Sequence, residues 1–134
     1  MDYNSDFRYD LSIGQLAEQH LGNILSNTNV EVKFDFAAWR TGNVYIEYMS
    51  RGQLSGIAKT KADYWLIVVA SESASRLKQD MSELQQSDIL YSILIGIDRL
   101  KEICRTRHYK RDVPGGDDNT SLGVLVKVRS LIDP

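Results

Sequence analysis

Four charged side chains stand inside two strand-like stretches, where charges are ordinarily scarce: Glu31, Lys33 and Asp35 in VEVKFDF, and Glu47 in NVYIEYM. Residues two apart on a strand share a face, so Lys33 and Asp35 lie together and Glu31 lies one step further back. If the two stretches pair as a hairpin around Thr41-Gly42-Asn43, Glu47 joins the same face. Two carboxylates held close repel one another, and a hard divalent cation offsets that repulsion. Mg²⁺ favours one or two carboxylates together with water and phosphate oxygens. A metal so held lowers the pKa of a bound water and stabilises the charge that builds on a phosphodiester under attack. A lysine beside it orients the water or neutralises the phosphate. The chemistry open to this set is metal-assisted phosphodiester hydrolysis, with Asp35 and Glu47 as metal carboxylates, Mg²⁺ or Mn²⁺ as the cation and Lys33 as the positive partner. The plainer reading is an edge hairpin whose charges face water and discourage aggregation. A Lys33–Glu47 pair there would contribute under ~1 kcal/mol.

The elements that would position these residues follow from periodicity. Ile13, Leu16, Ala17, Leu21, Ile24 and Leu25 form an apolar stripe of helical period behind a potential cap at Ser12. Glu18 sits at the border of that stripe. Residues 1–10 read as an irregular lead-in. In the first strand, Val30, Val32, Phe34 and Phe36 alternate with the charges and are expected to face the core. A second strand runs from Val44 to Met49. Gly52, Ser55 and Gly56 mark a loop, and Tyr64 to Ala70 reads as a strand buried on both faces. Ser73 to Gln86 has helical spacing, with Ala74, Leu77, Met81 and Leu84 on one side. Ile89 to Ile97 is a strand or the start of a second helix. Asp98 to Arg107 reads as a helix, Pro114 to Asn119 as a loop, and Leu122 to Val128 as a final strand. The whole of 1–134 is then one α/β domain with a mixed central sheet of about four to five strands flanked by helices.

In that order of elements, two acids and a lysine at the end of a hairpin after an N-terminal helix resemble the PD-(D/E)XK nuclease superfamily, the restriction-endonuclease-like fold of restriction enzymes, exonucleases and junction resolvases. The resemblance covers roughly Leu11 to Ala70, and the remainder by element order alone. It implies Mg²⁺-dependent cleavage of phosphodiester bonds in DNA, or less often RNA. Asp35 matches the single aspartate and Glu47 the acid of the (D/E)-x-K triplet. Met49 stands where the family's lysine is expected, which leaves Lys33 as a migrated lysine. In a second register, Glu31-Val32-Lys33 is itself the triplet, and Lys33 belongs to the site in both. Glu18 corresponds to the glutamate that many members place on the first helix, facing the metal. The segment GQLSGIAKTKADYW is similar to stretches of phage-encoded members, in which Ser55, Thr60 and Lys61 would contact phosphates, although plain Ser-Gly turn chemistry is the simpler account of each. Tyr45 could stack on a base or simply pack. The resemblance also implies a nucleic-acid partner and allows a homodimer. The alternative function is a catalytically silent nucleic-acid-binding or assembly module on the same fold, favoured by the missing lysine at Met49.

Composition sets limits on these readings. The chain has 134 residues, 43% hydrophobic and 25% charged, with a net charge of −2, typical of a globular domain and less basic than a general nucleic-acid binder. The longest apolar run, Trp65 to Ala70, is far short of the ~20 residues of a membrane helix. The first ten residues, acidic and polar, do not read as a secretory signal, and the lone Cys104 suits a reducing, cytoplasmic setting. Arg99, Lys101, Arg105, Arg107, Lys110 and Arg111 crowd one segment, either as a solvated helix end or as a phosphate-facing patch. His20 and His108 stand far apart and make no metal pattern. PGGDDNTS lacks both EF-hand spacing and a P-loop lysine.

Overall fold

A computed structural model describes residues 3–77, 80–116 and 118–134, with side chains from Leu11 onward. In chain order the elements are α1 (Tyr3–Asn27), β1 (Val30–Asp35), α2 (Ala38–Thr41), β2 (Asn43–Ser50), β3 (Gln53–Leu54), β4 (Tyr64–Ala70), β5 (Ile89–Gly96), α3 (Ile97–Thr106), β6 (Lys110–Gly115), β7 (Ser121–Lys127) and α4 (Val128–Ile132). Short 3-10 turns occupy Gly56–Ala58, Glu72–Leu77 and Gln86–Asp88. No helix among the described residues is long and apolar enough to cross a membrane.

The fold is mixed α/β, with two sheets in place of the single central sheet expected. One has the order β1-β4-β5 and the other β3-β2-β7-β6. β4 is the central strand of the first: β1 runs parallel to it, Val30 opposite Tyr64 through Asp35 opposite Val69, and β5 runs antiparallel. Trp65, Ile67, Val69 and Ile95 of this sheet cluster with Val44, Ile46, Val124 and Val126 of the other, and Leu100 and Ile103 of α3 and Leu131 of α4 close the core.

The expected hairpin between the first two strands does not form. β1 and β2 belong to different sheets, and the chain between them winds into the one-turn helix α2, closed by Gly42 in the left-handed region at φ 73°. The facing of β1 is also the reverse of expectation. Glu31, Lys33 and Asp35 pair with Trp65, Ile67 and Val69 of the core and share their face. Val32 and Phe34, on the other face, are 51% and 43% exposed. β1 is an edge strand, and inward-pointing charge is one way such edges are kept from pairing with other chains.

Other departures have local causes. Helix α1 starts at Tyr3, so the lead-in is helical, yet of its described side chains only Ile24 is buried, and Leu16 of the apolar stripe is 66% exposed. The helix expected over 73–86 is replaced by the two 3-10 turns Glu72–Leu77 and Gln86–Asp88; residues 78 and 79 lie outside the described set. Asp88, 2% exposed, draws that segment together. It accepts two hydrogen bonds from the Arg76 guanidinium at 2.6 and 2.9 Å, one from the Ser73 hydroxyl at 2.7 Å and one from the Gln85 N–H at 2.9 Å. Such side-chain bonding offers the backbone an alternative to helix. β6 takes in Pro114 and Gly115 of the expected loop, and an edge strand tolerates the proline.

The Arg76 guanidinium, then the Ser73 hydroxyl and the Gln85 N–H, hold the Asp88 carboxyl well below the usual carboxylate range, against the opposing effect of its burial. A folded-state pKa below the unfolded one means that this group stabilises the fold above the ordinary carboxylate pKa of about 4 and loses that contribution as pH falls below it. Urea unfolding at pH 7 and pH 3 should show a fall in midpoint for the wild type, and a smaller fall for Asp88→Asn from a lower starting point.

Candidate active site

Asp35, at the end of β1, does three local jobs. Its Oδ1 accepts the N–H groups of Ala37 at 2.9 Å and Ala38 at 2.8 Å, which supplies the start of α2 with its missing acceptor. Its Oδ2 accepts the N–H of Tyr45 at 3.0 Å. β2 is covered on that side only by β3, at Met49 and Ser50, so Asn43 to Glu47 present an edge without a strand partner, and the charged face of β1 meets it. A cavity of about 290 Å³ opens at this junction, lined by Lys33, Asp35, Tyr45, Glu47, Gly56 and Trp65 with their neighbours.

Glu47 enters this cavity from β2. The Ser55 hydroxyl donates to its Oε2 at 2.9 Å, and the Ser55 N–H donates to the Tyr48 carbonyl at 3.0 Å. The loop after β3 therefore braces both the side chain and the strand. Gly56 lies so close that a Cβ there would fall 2.2 Å from the Glu47 carbonyl oxygen, and its φ of +49° is itself glycine territory. Lys33 places its Nζ 2.8 Å from Glu31 and 5.1 Å from the centre of the Trp65 ring. Lys33, Asp35 and Glu47 line one cavity from two strands of two sheets, with no hairpin between them.

The ladder also explains Met49. Glu47 pairs with Gly123 and Met49 with Leu122, because a bulge at Tyr48 shifts the register. Gly123 and Leu122 are consecutive on β7 and face opposite ways, so Glu47 and Met49 do too. A lysine at position 49 would point away from Glu47.

The remaining candidates divide. Ser55 is at the site. Glu31 pairs with Lys33 and accepts the Thr60 hydroxyl at 3.3 Å. Thr60 also accepts the Trp65 indole N–H and the Ala62 N–H, each at 3.2 Å, so it anchors the loop. Lys61 is exposed on a neighbouring depression. Tyr45 packs its ring where side chains at Gly115 and Gly123 would stand, and its hydroxyl donates to the Val113 carbonyl at 3.1 Å. Burial, and then the charge of Glu47, raise its pKa. Glu18 is exposed on α1 and is not among the cavity's lining residues, since α1 projects with little of its surface packed. The basic segment does not make one patch. Arg99 and Arg107 donate to C-terminal carbonyls of Asp133 and Pro134, whereas Arg105 and Arg111 line a separate depression beside Tyr48 and Asp112. Burial, opposed by Arg105, pushes the Cys104 thiol up to about 11, which favours the protonated form. Sequence reasoning missed Gly56 and Trp65 as site walls and Lys59 beside them. For Gly56, its neighbour Ser55 in a turn was the only signal.

Two carboxylates, those of Asp35 and Glu47, line the cavity. A carboxylate has about four lone-pair positions. The hydrogen bonds of Asp35 occupy three, and the Ser55 bond occupies one on Glu47. No group of three or more His, Cys, Asp or Glu that could hold a metal occurs among the described residues. An ion here would thus rest on two carboxylates, as Mg²⁺ does, with water and phosphate completing its shell. No family model, curated protein or solved structure matches this chain.

Gly56→Ala tests the bracing of Glu47. The strained φ and the overlap with the Glu47 carbonyl should cost on the order of 1–3 kcal/mol, read as a lower urea midpoint with an unchanged m-value.

Proposed function

We propose that this protein is a metal-dependent nuclease that hydrolyses phosphodiester bonds, with DNA as its first candidate substrate and a restriction-endonuclease-like active site. The observation that carries this reading is the meeting of Asp35 and Glu47, from separate sheets, in one cavity with Lys33. Asp35 and Glu47 would hold Mg²⁺ or Mn²⁺. Bound there, the ion supplies an activated water and charge stabilisation at phosphorus. Water adds to phosphorus, one P–O ester bond breaks, and the leaving oxygen takes up a proton.

The protein's own groups do the positioning. The three backbone donors on Asp35 fix its carboxylate before any ligand arrives, so little ordering remains for the bound state. Ser55 orients Glu47 in the same way. Lys33 sits over Trp65 and beside Glu31, and a small rotation of its flexible stem exchanges the Glu31 carboxylate for a phosphate oxygen. Tyr91 lies in the same cross-strand row as Asp35 through Val69, and burial, then the Asp35 charge, raise its pKa, which favours the neutral phenol. A nucleic-acid-binding module without cleavage is favoured by two of the same observations: the heavy structural use of the Asp35 carboxylate and the pairing of Lys33 with Glu31.

Plasmid DNA with Mg²⁺ or Mn²⁺, and with EDTA, separates the two. The nuclease reading expects cutting that EDTA stops and that Glu47→Gln lowers by about 100-fold or more, in line with the loss of one transition-state charge partner. Asp35→Ala should abolish it as well and should also lower the melting temperature, because the cap of α2 is lost. Equal cutting by wild type and Asp35→Ala would refute the assignment. Met49→Lys should leave the rate unchanged, because position 49 faces away from Glu47.

A further inference from the structure

Three depressions follow one another across the surface, sharing residues at their edges. The cavity holding Asp35 and Glu47 shares Lys33 and Gly56 with a second depression, which also takes in Lys59 and Lys61. The second shares Thr60 and Lys61 with a third, which reaches Lys101 on α3. The charge changes along the way, from two carboxylates at the first to Lys33, Lys59 and Lys61 against Glu31 at the second, and Lys61, Arg99 and Lys101 against Asp63 and Asp98 at the third. Among the described residues, the salt bridges are Lys33–Glu31 and Arg76–Asp88, so Lys59, Lys61 and Lys101 carry no ion-pair partner.

One loop walls the first two of these depressions. Ile57 is buried in the core, the Gly56 carbonyl accepts the N–H groups of Lys59 at 3.1 Å and Thr60 at 2.9 Å, and the Thr60 hydroxyl is turned inward onto Trp65. Thr60 points in, and Lys59 and Lys61 on either side of it are exposed. The segment that braces Glu47 through Ser55 therefore also holds a pair of lysines at a fixed place beside the cavity.

We infer that this path, from Lys33 over Lys59 and Lys61 to Lys101, binds the phosphate backbone of a nucleic-acid strand and leads it into the Asp35–Glu47 cavity. The direction of travel rests on the phosphodiester reading of that cavity; the binding itself does not. Binding to successive phosphates by lysines releases counterions, and for a single strand the logarithm of affinity falls with the logarithm of salt by about 0.7 per phosphate neutralised.

Anisotropy of a fluorescein-labelled single strand of roughly 20 nucleotides, titrated in EDTA over a range of salt, reads this directly. The triple variant Lys59→Ala/Lys61→Ala/Lys101→Ala should bind more weakly, with a salt slope shallower by about 2, while Lys110→Ala on β6 keeps the wild-type slope. All these side chains are at least partly exposed, and melting temperatures are measured alongside to show intact folding. An unchanged slope in a folded triple variant overturns the inference, as does displacement of the strand by polyglutamate as readily as by unlabelled nucleic acid at equal charge. Hydrolysis of bis(p-nitrophenyl) phosphate with Mn²⁺ is followed in parallel. If the wild type hydrolyses nothing and the slope still falls in the triple variant, the path stands and the nuclease reading fails.

Discussion

The rest of the site depends on the carboxylate of Asp35. One oxygen accepts the N–H groups of Ala37 and Ala38, and the other accepts the N–H of Tyr45. Those bonds start α2, turn the chain out of the first sheet and fasten the end of β1 to the open edge of β2. Hydrogen bonds to an ionised acceptor are stronger than neutral ones. A group already holding three backbone donors presents its remaining lone pair in a set direction. The same bonds that shape the crossover hold this carboxylate in place at the wall of the cavity.

The second organising feature is the inversion of β1. Its charged residues face the space between the sheets and its apolar residues face outward. A strand in the middle of a sheet could not carry this, because its inner face would bury three charges without solvent. At an edge, the space beneath the strand opens to water, and Lys33 and Glu31 each remain about two-fifths exposed. The edge position thus makes the cavity possible, and the Ser55–Lys61 loop closes it on the far side with its short contacts to Glu47 and Trp65.

Several elements were legible because their signal is local. Tyr64 to Ala70, a continuous apolar run with β-branched residues, is the central strand β4; β7 and α3 lie within a residue or two of their expected limits. The helix expected over 73–86 gives way to 3-10 turns for a physical reason. Its spacing is helical, but Asp88 gathers Ser73, Arg76 and Gln85 into a hydrogen-bonded cluster, and no periodicity records where a distant carboxylate will find its donors. The short α2 and α4 have too few residues for any period to show.

What the sequence by itself determined was which side chains share a face. Strand alternation puts Glu31, Lys33 and Asp35 together whatever the strand pairs with, and it separates them from Val32 and Phe34. It could not say which of those faces looks inward, since both the apolar and the charged set make a consistent strand. Only the tertiary structure decided that, by placing β1 at an edge and parallel to β4. Tertiary structure also decided that Glu47 and Asp35 line one cavity at a junction of two sheets, and that a one-residue bulge turns Met49 away from Glu47. Pairing partners and bulges are set by contacts far apart in the chain, whereas alternation is set by the bond geometry of each residue.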